Sequence, residues 1–111
     1  MLAFPSTYSV GITSLGYQVV WATLAQRPDV DVRRLFTDQG DPPHGGQRGR
    51  GPDLDLFGLS LSWELDGPVL LDLLEQQRIP IWAVERGDGD PIVFGGGPVL
   101  TANPEPLAPF F

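Results

Sequence analysis

The chain has 111 residues, enough for one compact domain with one buried core and too few for two. Apolar residues make up 41% of it, and the net charge of −7 comes with seven arginines, no lysine and no cysteine. Such a composition argues against disorder, a disulfide framework or thiolate metal site, a cysteine-held iron–sulfur cluster, Schiff-base catalysis by lysine and a phosphate-tracking nucleic-acid surface.

No apolar run approaches the roughly 20 residues that span a bilayer, and Met1 opens no signal peptide, so the expected location is the cytoplasm with no membrane partner. In chain order, Leu2-Ala3-Phe4 reads as a short strand ended by Pro5, followed by a loop through Gly11. From Ser14 to Gln26 the pattern turns helical, with Leu15, Val19 and Ala22 on one stripe, Tyr17, Trp21 and Leu24 on its neighbour, and Pro28 beyond the end. Val32–Phe36 is a second strand, placed at a sheet edge by Arg33 and Arg34.

Residues 38–52 hold five glycines and three prolines with almost nothing apolar, and read as a flexible loop. Leu56–Leu61 is the near-continuous apolar run of a central parallel strand. Asp66-Gly67-Pro68 opens a helix whose apolar face carries Leu70, Leu73 and Leu74 and which ends near Arg78. Ile79–Val84 and Ile92–Phe94 read as fourth and fifth strands, the latter running into Gly95-Gly96-Gly97-Pro98; the tail is too rich in proline to be regular before its last residues.

This alternation predicts a single α/β domain over 1–111: a Rossmann-like, flavodoxin-like parallel sheet of about five strands in the order 2-1-3-4-5, flanked by helices. In such sheets ligands bind beyond the carboxyl ends of the strands. Three loops leave those ends: 5–16, 60–67 and 95–103. Gly11 and Gly16 allow close backbone approach, Ser60 and Ser62 offer hydroxyls, and Gly95–Gly97 present bare backbone. Each has a plainer reading: the glycine triplet as a tight turn, the serines as partners of the amides that open the next helix. Gly11-x-x-x-x-Gly16 is followed by no Lys-Ser or Lys-Thr and fits no dinucleotide fingerprint. The single histidine, His44, stands in the flexible loop without a neighbouring acid or nucleophile. No carboxylate cluster suits a metal, and no acid–base pair marks the segment as catalytic by itself.

Four strings follow one another in order: Ala3-Phe4-Pro5-Ser6-Thr7-Tyr8-x-Val10-Gly11-Ile12-x-x-Leu15-Gly16, Gly58-Leu59-Ser60-Leu61-x-x-Glu64-Leu65, Gly95-Gly96-x-Pro98, and Asn103-Pro104-Glu105-Pro106-Leu107-Ala108-x-Phe110-Phe111. Together they resemble the N-terminal cobalamin-binding-like domain of a largely uncharacterised family of radical SAM proteins. The resemblance implies an accessory domain, not itself catalytic, that binds or once bound a corrinoid beside a downstream radical SAM barrel. S-adenosylmethionine and the 4Fe-4S cluster would belong to that parent protein, of which this chain would be a fragment or excised domain. The implied cofactor-binding residues are Thr7, Gly11, Ser60, Ser62, Gly95, Gly96 and Pro98. The first loop departs from the wider cobalamin pattern in lacking Asp-x-His-x-x-Gly, which implies base-off binding without a histidine ligand. Two other readings stand beside this one: a ligand-free structural module packed on the barrel, and a flavodoxin-like small-ligand binder.

Overall fold

The computed structural model describes residues 1–40 and 54–111, so nearly all of the predicted flexible loop, His44 included, lies outside the described residues. Four strands build one sheet: β1 (Leu2–Ala3), β2 (Arg34–Leu35), β3 (Leu56–Ser60) and β4 (Ile92–Gly96). All pairings are parallel and the order is β2-β1-β3-β4. The register aligns Leu2 with Gly58 and Gly58 with Phe94, while Ala3 aligns with Leu59 and Leu59 with Gly95. Because side chains alternate along a strand, each of these rows points to one face of the sheet.

Two helices cover the two faces. Helix α2 (Leu15–Ala25) starts just after Ser14, and its buried Tyr17 joins Leu2, Phe4 and Phe36 in one apolar cluster. Tyr17 meets Phe4 and Phe36 edge-to-face and donates its hydroxyl to the Leu2 carbonyl at 2.9 Å, so its polar end is satisfied inside the core. Helix α3 (Asp66–Gln76) buries Leu70, Leu73 and Leu74, spaced to form one stripe, against Ala3, Phe57, Leu59, Leu61 and Val93 on the opposite face. Each leucine so removed from water contributes about 1.5–3 kcal/mol. At its end Arg78 adopts φ 59°, while the Arg78 and Ile79 amides donate back to the carbonyls of Glu75 and Leu74. That left-handed closure is usually made by glycine.

The sheet has four strands where five are expected, because Ile79–Val84 is not a strand. Ile79 is buried, but Pro80 brings no amide hydrogen to a ladder. The Arg86 guanidinium takes the carbonyls of Pro80 at 2.9 Å and Ile81 at 2.8 Å, together with that of Phe110 at 2.8 Å. Ala83–Glu85 then forms a single 3₁₀ turn with Val84 exposed. The last strand takes the seat beside β3 directly. Smaller differences follow from side-chain contacts. The first turn of the loop after β1 is helical, as α1 (Tyr8–Gly11), with the Tyr8 amide donating to Asp38. Strand β2 is two residues long, because the Phe36 amide turns to the Gln39 carbonyl. Arg34 lies 4.6 Å from the centre of the Trp21 ring, so this edge arginine packs on α2 while its charge stays near water. After the glycines comes α4 (Pro98–Ala102), and a 3₁₀ turn over Ala108–Phe110 closes the tail. Among the described residues no helix is long and apolar enough to cross a membrane.

Candidate functional site

The carboxyl ends of β3 and β4 and the start of α2 enclose an open crevice of about 410 Å³, within the range of small-molecule sites. Its floor comes from the sheet, with Leu2, Leu59, Phe94 and the run Gly95–Pro98; α2 forms one wall with Gly16, Tyr17 and Val20; Ser14, Ser60 and Ser62 supply hydroxyls. Among the described residues no carboxylate, guanidinium or imidazole lines it.

The position of the serines follows from Asp66. One carboxylate oxygen of Asp66 accepts the amide of Ser62 at 2.8 Å and that of Trp63 at 2.9 Å, fixing the turn between β3 and α3. The amides that the serines were expected to satisfy are thus taken by a carboxylate. The hydroxyls of Ser60 and Ser62 meet no protein partner among the described residues and are left to the crevice. Across the opening, Leu61 donates its amide to the Gly96 carbonyl at 2.8 Å, which carries the ladder to the rim.

The three glycines of the triplet do different work. A side chain on Gly96 would meet nothing within 4 Å, so this position opens the floor; the same holds for Gly16 opposite. A Cβ on Gly95 would stand 2.6 Å from Leu100 and from the Phe111 ring, which makes Gly95 a packing position against the tail while its backbone borders the crevice. Gly97 has φ 113° and lies against the Leu61 backbone, turning the chain sharply into α4. Pro98 follows at the first position of that helix, where its missing amide hydrogen is no loss.

Of the seven residues expected to form the site, the structure brings together five: Ser60, Ser62, Gly95, Gly96 and Pro98. Gly11 is buried elsewhere, with Phe36 and Phe4 ring carbons 2.5–3.0 Å from where its Cβ would be. Its small size serves the packing of aromatic rings. Thr7 is exposed at the start of α1, its hydroxyl 3.1 Å from that of Ser9. Gly16, singled out for close backbone approach, also lines it; the lining residues that the sequence did not single out for the site are Leu2, Ser14, Tyr17, Val20, Leu59 and Phe94. Period-two alternation puts Phe94 on the same face as Gly96, a signal that was present; the approach of Tyr17 and Val20 depends on how α2 lies across the sheet.

A second hollow of about 360 Å³ opens at the opposite, amino end of the strands, bordered by Asp29, Asp31, Arg33 and Asp55, and shares Leu2 and Phe94 with the first. No group of three or more metal-ligating side chains occurs among the described residues.

The described residues thus form a parallel α/β domain with a glycine-floored crevice beyond its strand ends, the place where open sheets of this kind bind their ligands. The chain belongs to the family described as radical SAM proteins, N-terminal, which matches residues 16–111. Membership implies a radical SAM catalytic domain, with its S-adenosylmethionine and 4Fe-4S cluster, in the parent protein. No curated protein and no solved structure matches the chain.

Proposed function

We propose that this Rossmann-like domain holds a corrinoid, base-off and without a histidine ligand, in the crevice between β3, β4 and α2, as the accessory domain of a radical SAM enzyme. The observation that carries the reading is the convergence of Ser60, Ser62, Gly96 and Pro98 on one mostly apolar opening that no charged side chain among the described residues lines. A broad, flat, largely neutral ring needs bare backbone to lie on, and Gly96 and Gly16 leave that space free on both sides. The hydroxyls of Ser60 and Ser62 suit amide substituents at the ring's edge, while Tyr17, Val20 and Phe94 exclude water. Among the described lining residues there is no histidine, in keeping with a corrinoid held without an imidazole ligand.

When bound, the corrinoid supplies the methyl or radical chemistry. The residues of this chain bind and orient, and no carboxylate or imidazole among the described lining residues is placed to transfer a proton. Phosphate-led ligands such as a flavin nucleotide suit the site less well, because its described lining offers them no cation and Thr7 stands outside it.

Titration of the full-length protein with hydroxocobalamin, followed by visible absorbance and calorimetry, tests the reading. The expected result is binding without the spectral change of imidazole ligation, abolished by Gly96→Trp, which fills the floor. Absence of binding would favour a ligand-free module that only packs on the catalytic domain.

A further inference from the structure

The outer edge of β4 presents a row of backbone groups that nothing described in this chain satisfies. Along β4 the ladder to β3 uses alternate residues: the Ile92 amide donates to Asp55 at 2.9 Å, and the Gly96 carbonyl accepts from Leu61 at 2.8 Å. Alternation in a parallel pair then turns the amides and carbonyls of Val93 and Gly95 to the other side. There they meet no partner among the described residues. Val93 is nonetheless only 7% exposed, its side chain lying in the core beneath α3. A half-buried strand with one unpaired edge is a template for another strand.

We propose that this edge is the acceptor site for a strand from the radical SAM catalytic part of the same polypeptide, which would lock the two parts through main-chain hydrogen bonds. An extended strand is the occupant because only a strand offers donors and acceptors at the spacing of Val93 and Gly95. Its source follows from handedness and charge. The segment after β4 lies on the α3 face, where Leu100, Leu107, Phe110 and Phe111 pack against the core. A strand reached from that face and laid beside β4 repeats the hand of β3–α3–β4, the hand that parallel connections almost always take. A second copy is the poorer occupant. Each copy carries a net charge of −7, so two copies repel one another on approach.

This inference concerns a backbone edge and is independent of the corrinoid. Residue-resolved amide hydrogen exchange on the full-length protein tests it, with Phe57 and Leu59, which face β4 within the sheet, as internal controls for folding. The expected result is exchange at both Val93 and Gly95 slowed about 100-fold or more relative to an unpaired surface amide, in a protein that sediments as a monomer. Fast exchange at Val93 and Gly95 while Phe57 and Leu59 remain protected would overturn the proposal. Protection that appears only in a dimer and is lost on dilution would overturn it in favour of a second copy.

Discussion

The ring of Phe94 lies across Gly58 on the neighbouring strand, so that a methyl group on Gly58 would stand 2.5 Å from the tip of the ring. Phe94 is 41% exposed and borders the crevice, so the ring has somewhere to go. Gly58→Ala is therefore expected to tilt the ring into the crevice, costing about 1 kcal/mol of stability in a urea titration and weakening hydroxocobalamin binding more than the stability loss suggests. Combining Gly58→Ala with Phe94→Leu should recover most of that binding.

Gly97 has no such escape. Its φ of 113° disfavours any side chain, and what a Cβ would strike is the Leu61 backbone. Gly97→Ala should cost about 3 kcal/mol or more, the sum of dihedral strain and a forced backbone shift. Urea midpoints for this variant and for Gly96→Ala, where the space is open, should differ by most of that amount.

Asp66 acts through the two amides it accepts. Asp66→Ala leaves those of Ser62 and Trp63 without their carboxylate and is expected to cost about 1–2 kcal/mol. Asp66→Asn keeps one acceptor oxygen and should fall between. If Ser62 helps to hold a ligand, affinity will follow the same ranking as thermal stability.

At Arg78 a non-glycine residue occupies a left-handed helix closure. Arg78→Gly removes that strain, and a gain of about 0.5–1 kcal/mol is expected, read as a higher melting temperature. A loss instead would mean that the arginine side chain contributes more than its backbone costs.

Asp29 pairs with Arg27 at 2.7 Å on the open surface. The hydrogen bond from Arg27 lowers the Asp29 carboxyl below its ordinary value of 3.8, with backbone hydrogen bonding second and desolvation opposing. A depressed folded-state value stabilises above the unfolded value, and that contribution is lost as pH falls through the folded one. The window lies at and below 3.8, well under neutrality. Carboxyl-carbon NMR titration should show Asp29 moving upward in Arg27→Gln, while stability at pH 7 stays nearly unchanged because the pair is exposed to solvent.

The elements legible in the sequence were those specified by short-range physics. The stripe Leu70, Leu73, Leu74 marks α3, Pro28 limits α2, and the uncharged run 56–60 marks a strand buried on both faces. The parallel order β2-β1-β3-β4 follows from alternation and handedness, which act on any such sequence. The loops at the strand ends were legible too, because small residues cluster there. Three matters lay with the tertiary structure. Ile79–Val84 has strand composition, yet the Arg86 guanidinium, itself held by the tail carbonyl of Phe110, claims its backbone. Gly11 and Gly96 look alike in sequence, yet one is closed by the rings of Phe4 and Phe36 and the other faces open space. The α2 wall of the crevice depends on long-range contacts that lay the helix across the sheet, among them the Tyr17 hydroxyl on the Leu2 carbonyl and its ring against Phe4 and Phe36. Propensity and periodicity act over a few residues and decide what each segment becomes; which segment a side chain meets depends on contacts between residues far apart in the chain, and those are set only when the chain packs.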